Sequence, residues 1–162
     1  MLHLIEKLLP APLHRALLPV AFRIRHRWRA LRKAPLSGCC VVISNLNGDV
    51  LLLRHSYGPE VWALPGGGIG ANEDPEQAAR REVEEELGIT LGPVQSVAVL
   101  SEEVSRSPHT AHLFAATCNA RPAPDKREVL EARFFPSHSL PEPLGAITRN
   151  RIDVWRARGR AA

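Results

Sequence analysis

Apolar positions along this chain follow two periods in turn. Residues 39–44 and 50–53 are short, β-branched apolar runs. The stretch between them, Asn45-Leu46-Asn47-Gly48-Asp49, carries an Asn-Gly pair that accepts positive φ, and the combination predicts a β-hairpin. Residues 61–64 predict a short strand that leads into Pro65-Gly66-Gly67-Gly68. There the period changes: Ala79, Val83 and Leu87 recur at i, i+4. Asp74 as N-cap, Pro75 at N1, Gln77 at N3 in a capping box and Gly88 past the end bracket a helix. Residues 94–100, 112–118 and 130–135 predict three more strands, with a loop at 122–126. A second helix over about 144–156 rests on Leu144, Ile147, Ile152 and Trp155. Strands mixed with a few helices predict a layered α/β or α+β domain.

Ahead of this domain, Leu17, Val20, Ala21, Ile24, Trp28 and Leu31 recur at helical spacing, with Pro19 near the start or at a kink. Residues 22–29 also alternate with period two, so a strand remains open locally, though helix is preferred. Ala34-Pro35-Leu36-Ser37-Gly38 reads as the joint. The division is therefore a basic, helical extension over 1–36 and one domain over 37–162, an ordinary size for a single core. No segment offers the roughly 18–20 uncharged residues of a membrane-spanning helix. Lys7, Pro10, His14, Arg15 and Pro19 interrupt the best candidates, and the arginines follow the apolar stretch, the reverse of a secretory signal. Cys39, Cys40 and Cys118 lack metal-ligand spacing, and their odd number predicts reduced thiols and a cytoplasmic setting.

Charge divides the chain more sharply than its net +4 suggests. Residues 1–33 hold eight basic side chains against Glu6, and residues 149–162 hold five arginines against Asp153. The middle holds eight basic and fifteen acidic side chains, a net −7. Such asymmetry points to separate jobs for ends and centre. For the basic N-terminal segment the first expectation is packing on the domain or on a second subunit, as in a homodimer. Attachment to an anionic membrane surface comes next, and contact with nucleic-acid phosphates or a cleaved targeting peptide are the other readings. The acidic centre would repel a bare polyphosphate unless cations lie between.

That centre concentrates on the first helix. Glu82, Glu85 and Glu86 fall at i, i+3 and i+4, so their carboxylates share a face, while Glu84 points away. Crowding predicts raised pKa values unless a cation compensates, and hard oxygen donors suit Mg²⁺ or Mn²⁺. A solvated acidic face would give the same run of charges. The glycines at 66–68 decide between the two readings, because they let backbone approach a ligand just before a helix that presents carboxylates.

The stretch Gly67, Glu73 and Arg81-Glu82-Val83-Glu84-Glu85-Glu86-Leu87-Gly88-Ile89 resembles the Nudix box, G-x5-E-x7-R-E-U-x-E-E-x-G-U with U aliphatic, and meets every defined position. Trp62-Ala63-Leu64-Pro65-Gly66-Gly67 is similar to the family's approach to the box, and compatible strands extend the likeness over about 37–140. The resemblance implies an α/β/α sandwich with a mixed sheet, and metal-dependent hydrolysis of a nucleoside diphosphate linked to another moiety. By position it implies Glu82, Glu85 and Glu86 as metal ligands, with the carbonyl of Gly66 as a further one. Glu73 and Arg81 would brace loop against helix, and Glu82 or Glu85 would assist deprotonation of water. Gly70 and Asn72 depart from the glutamate and glycine that many members carry there, which puts the loop's shape in question.

Arg54, Gly67, Gly68 and Glu131 are candidate substrate contacts, the first and last of them outside the box. Glu128 and Glu131, ahead of Arg133-Phe134-Phe135, are similar to a late strand of the family that can lend an acid to the site. His55 follows a strand and reads as a loop residue or a substrate contact. His109 and His112 lie three apart in a strand and face opposite ways. Ser56 and Ser107 show no partnered base. A non-catalytic nucleotide- or RNA-binding module on the same fold is the competing class, and the intact glutamates favour the enzyme. Nothing outside the box selects the substrate.

Overall fold

A computed structural model describes residues 36–104, 107–124, 126 and 128–159. The expected N-terminal helix lies outside the described residues. β1 (Leu36–Ser44) and β2 (Asp49–His55) form the expected hairpin. Its turn is held by Asn45, whose Oδ1 accepts from the amides of Asn47 and Asp49 at 2.9 Å each, with Gly48 at φ 81°.

Next come β3 (Gly66–Gly68), α1 (Pro75–Leu87), β4 (Val94–Val104), β5 (Ser107–Thr117), β6 (Val129–Pro136) and α2 (Ala146–Gly159). The main sheet runs β4-β5-β1-β2-β6. β1 pairs with β5 in parallel from Leu36↔His109 to Ser44↔Thr117, and the other neighbours pair antiparallel, so the sheet is mixed. β3 lies antiparallel to the first part of β1, with Gly67 opposite Cys39 and Gly66 opposite Cys40. β2 meets β1 only near Ser44↔Val50, which leaves that edge open for the glycines.

The strand expected over 61–64 is replaced by two isolated bridges, Leu53↔Ala63 and Trp62↔Leu144. Successive residues there bond to different neighbours. Ala63 exchanges both backbone bonds with Leu53, whereas Trp62 donates to Pro143 and accepts from Gly145. No single partner strand is available, and the regular strand forms instead at the glycines.

Alternation along β1 and β2 feeds two cores. Cys39, Val41, Ile43, Leu51 and Leu53 pack with Ala78, Ala79, Val83 and Leu87 of α1. Cys40, Val42, Val50 and Leu52 pack with Trp62, Leu113 and Ile152 of α2 on the other side. Both faces are covered, which is why the apolar run in β1 is continuous and not alternating. The result is the α/β/α sandwich. The cysteines are free thiols, and Cys39 and Cys40 are buried as small hydrophobes. Among the described residues no helix is long and apolar enough to cross a membrane.

α1 starts where its cap predicts. The Asp74 carboxylate accepts from the amides of Glu76 at 3.1 Å and Gln77 at 3.0 Å, and Gly88 closes the helix at φ 64°. α2 differs from expectation at its start: Leu144 is buried but precedes the helix, and Ile147 is 42% exposed. The basic C-terminal cluster also changes meaning. Arg151 pairs with Glu102 of β4 at 2.6 Å, Arg149 pairs with Glu142, and Arg156 and Arg158 bond to the carbonyls of Ser137 and Ser96. These arginines fasten α2 to the domain, so they are not a detached basic tail.

Candidate metal and phosphate site

The site forms where β3 crosses the middle of α1. Glu86 is buried, and its Oε2 accepts from the Gly66 amide at 2.9 Å. Glu82 lies under Gly67: a Cβ at that glycine would stand 2.4 Å from the Glu82 carboxylate. Gly66 has a different reason for lacking a side chain. Its φ is 145°, and a Cβ would meet the Cys39 carbonyl oxygen at 2.2 Å. Glu85 is 46% exposed beside this pair, and Glu84 faces solvent. The i, i+3, i+4 face is therefore graded from buried Glu86 through half-buried Glu82 to open Glu85.

Arg81 and Glu73 tie the loop to the helix. Arg81 Nε donates to Glu73 Oε1 at 2.8 Å and Nη2 donates to Oε2 at 3.1 Å, a forked pair. Arg81 Nη2 also reaches the Gly68 carbonyl at 3.2 Å, and Glu73 accepts from the Gly70 amide at 2.7 Å. Arg81 holds the Glu73 carboxyl down to about 2, helped by the Gly70 amide. The sequence did not reveal that Nη1 of Arg81 also binds Glu82 at 2.8 Å and Glu85 at 3.4 Å. One guanidinium thus neutralises part of the acidic face.

Asn72 settles the question about the loop. It stands at φ 61°, the left-handed conformation a glycine would adopt, and asparagine tolerates this better than most residues. Gly70 brings its amide onto Glu73, and a Cβ there would lie 3.0 Å from that carboxylate. Both departures from the family pattern are compatible with the same turn.

The expected rise in carboxylate pKa appears at Glu82 and, strongly, at Glu86, but its cause differs from expectation. Loss of water on burial is the largest contribution at both, and repulsion from neighbouring carboxylates is smaller. A cation would relieve that burial cost. Among the described residues no three His, Cys, Asp or Glu side chains are already gathered as an ion cage. The donors nonetheless fit a hard divalent cation in kind: every candidate ligand is an oxygen, and loss of water at buried Glu86 and half-buried Glu82 is incompletely compensated.

Two further residues converge here. Buried Nδ1 of His55 lies 3.9 Å from Glu86 Oε1, too far for a hydrogen bond, and has no hydrogen-bond partner. Burial lowers the His55 pKa, against a bond to the Glu128 backbone that raises it. The alternation Leu51, Leu53, His55 on the α1 side of β2 was the available signal. Glu128 is the second, near enough to Glu86 to raise its pKa.

Three sequence candidates lie elsewhere or serve otherwise. Arg54 stands over the Trp62 ring at 5.8 Å, in the layer of α2. Glu131, its cross-strand partner, pairs with Arg133, whose guanidinium lies 6.0 Å from the same ring. A residue-by-residue alternation sends Arg54 and Glu131 to the face opposite the α1 glutamates. Gly67 and Gly68 remain at the site, but the Gly68 carbonyl is taken by Arg81, and that of Gly67 accepts from the Cys39 thiol at 3.8 Å.

A glycine strand clamped across a helix that presents graded carboxylates, on an α/β/α sandwich, is the arrangement that the resemblance to the Nudix box implies. The NUDIX domain model matches residues 35–155, and the chain belongs to this family. Over 51 residues the chain is 49% identical to an RNA pyrophosphohydrolase of Rhodospirillum rubrum, covering 32% of this chain and 31% of that protein. The chain spans about a third of the length of the curated relatives it matches. A MutT NUDIX hydrolase from Burkholderia pseudomallei superposes with a TM-score of 0.68 at 28% identity, over 74% of this chain and 97% of that one. The NUDIX domain of Shewanella oneidensis NrtR, complexed with ADP ribose, shares the fold with a TM-score of 0.68 at 21% identity, over 77% and 88%.

Proposed function

We propose that this chain hydrolyses a diphosphate bond of a nucleotide-like substrate with Mg²⁺ or Mn²⁺, and that its substrates include the 5′-polyphosphate end of RNA. The observation that carries the first part is the pair of carboxylates, buried Glu86 and half-buried Glu82, held against the Gly66–Gly68 backbone. Glu82, Glu85, Glu86 and the Gly66 carbonyl would hold the cation. When bound, such a cation neutralises the diphosphate and acidifies water. Glu82 or Glu85 accepts the proton of the attacking water. Glu73 and Arg81 position this set and touch no substrate, because Arg81 already spends its donors on Glu73, Glu82, Glu85 and Gly68. The RNA part is supported by local identity to the RNA pyrophosphohydrolases, 49% over 51 residues in one and 47% over 58 residues in another.

The test is a phosphate-release screen of nucleoside triphosphates, nucleotide sugars, ADP-ribose, dinucleotides and 5′-triphosphorylated RNA, with Mg²⁺ and with Mn²⁺. Glu85→Gln should lose metal-dependent turnover while keeping the fold, since this side chain is largely exposed. Normal turnover by that variant would remove the assignment of the metal face. Ligand binding without turnover by the wild-type chain would favour the binding-module reading.

A further inference from the structure

A cleft of about 360 Å³ opens between the loop that follows β5 and the edge strand β6. Its walls carry Arg121, Lys126 and Arg133 against a single carboxylate, Glu131, a net charge of +2 among the lining residues. Its apolar surface comes from Pro122, Pro124 and the half-buried ring of Phe134. The loop is pinned to the end of α1, where the Ala123 amide donates to the Leu87 carbonyl at 2.8 Å. Nothing in the hydrolytic site uses these cations.

The cleft and the glutamates share one short piece of chain. Lys126 and Glu131 line the cleft, and the carbonyl of Glu128 between them accepts from the Ser56 amide at 2.8 Å, next to His55, whose Nδ1 lies 3.9 Å from Glu86. Two or three residues of backbone span at most about 7–10 Å, the length of roughly two to three stacked nucleotides along a strand. A mononucleotide whose phosphates lie at the glutamates can bring at most its base that far, and it has no further phosphate for the three cations. A polynucleotide has both further phosphates for the cations and bases for an apolar, partly aromatic wall. Cationic tracks with interleaved aromatic surface are the general form of single-strand binding.

Resting on the reading that RNA 5′ ends are substrates, we infer that this cleft binds the leading phosphates and bases of a single-stranded polynucleotide. Arg121, Lys126 and Arg133 contact successive phosphates, and Phe134 with the two prolines supports a base. The 62% exposure of Arg133 leaves its guanidinium open to a phosphate despite its contact with Glu131.

The test measures anisotropy of a labelled, 5′-triphosphorylated oligoribonucleotide against salt, in an Glu85→Gln background that prevents turnover. Each lost single-strand phosphate contact takes about 0.7 from the slope of log K against log salt, so Arg121→Gln/Lys126→Gln/Arg133→Gln should lower it by about 2. Between 50 and 200 mM salt the parent should weaken roughly twentyfold more than this variant. Turnover of a nucleoside triphosphate, measured with Glu85 intact, should be unchanged by the triple substitution. Arg121→Glu, at an exposed position, repeats the test with one change should the triple variant be unstable. An unchanged salt slope overturns the inference, as does equal loss on mononucleotide and oligonucleotide. Binding with the expected slope alongside absent hydrolysis of RNA by the wild type defeats the substrate reading and leaves the cleft standing.

Discussion

Replacing Gly67 by alanine should separate activity from stability. Its φ is not in the left-handed region, so alanine's backbone suits the position. The new methyl would stand 2.4 Å from both Cδ and Oε2 of Glu82, where ordinary contact begins near 3.4 Å, so the carboxylate must retreat by about 1 Å. That group is the far end of a flexible side chain. Pushing it off its rotamer costs about 0.5–1.5 kcal/mol, and a Gly→Ala change restrains the unfolded chain by about 0.4–1 kcal/mol in the opposite sense. Net stability should change by less than about 1 kcal/mol, within about 2–4 °C in Tm. Catalysis has no such compensation: a displacement of about 1 Å costs on the order of 10²-fold, or about 2.7 kcal/mol of barrier. The assay pairs thermal denaturation with metal-dependent phosphate release. Gly66→Ala is the contrast, because its Cβ meets backbone at 2.2 Å and its φ is 145°, so that variant should lose the fold. Full turnover by Gly67→Ala with an unchanged Tm would refute the dependence on where Glu82 sits. A large loss of stability would refute the idea that only a side-chain end must yield.

Asp74→Ala removes the acceptor for two helix amides and should cost about 1 kcal/mol, read as a lower denaturation midpoint, with little effect on turnover above that transition. The pH dependence of metal-free stability should have two opposed parts. Glu73, depressed in the folded state, contributes stability that is present above about 4.5 and is lost as pH falls toward about 2. Glu86 is raised, so its ionisation becomes a growing penalty as pH climbs above about 4.5. Glu86→Gln should therefore raise Tm near neutral pH without metal and shrink the extra stability that Mg²⁺ confers. A variant that gains as much from Mg²⁺ as the wild type would place the cation elsewhere.

The sequence by itself determined the local chemistry. The Asn-Gly turn, the Asp74 and Gly88 caps and the i, i+3, i+4 glutamates are set by neighbours within a few residues, and all appear where expected. The pairing of Glu73 with Arg81 was legible because the box fixes both positions. Only tertiary structure decided what depends on partners far along the chain. Regular pairing moved from 61–64 to the glycines because β2 leaves the early edge of β1 vacant. Burial, which local spacing does not encode, graded three similar glutamates and raised Glu82 and Glu86 more than their mutual repulsion did. Strand alternation, applied across paired strands, sent Arg54 and Glu131 to the far layer while His55 and Glu128 came to Glu86. Packing of α2 on the sheet drew Arg151 onto Glu102 and Arg158 onto the backbone of β4. Hydrogen bonds between neighbours are written in the order of residues, whereas desolvation and the face a side chain occupies are fixed only when the layers close.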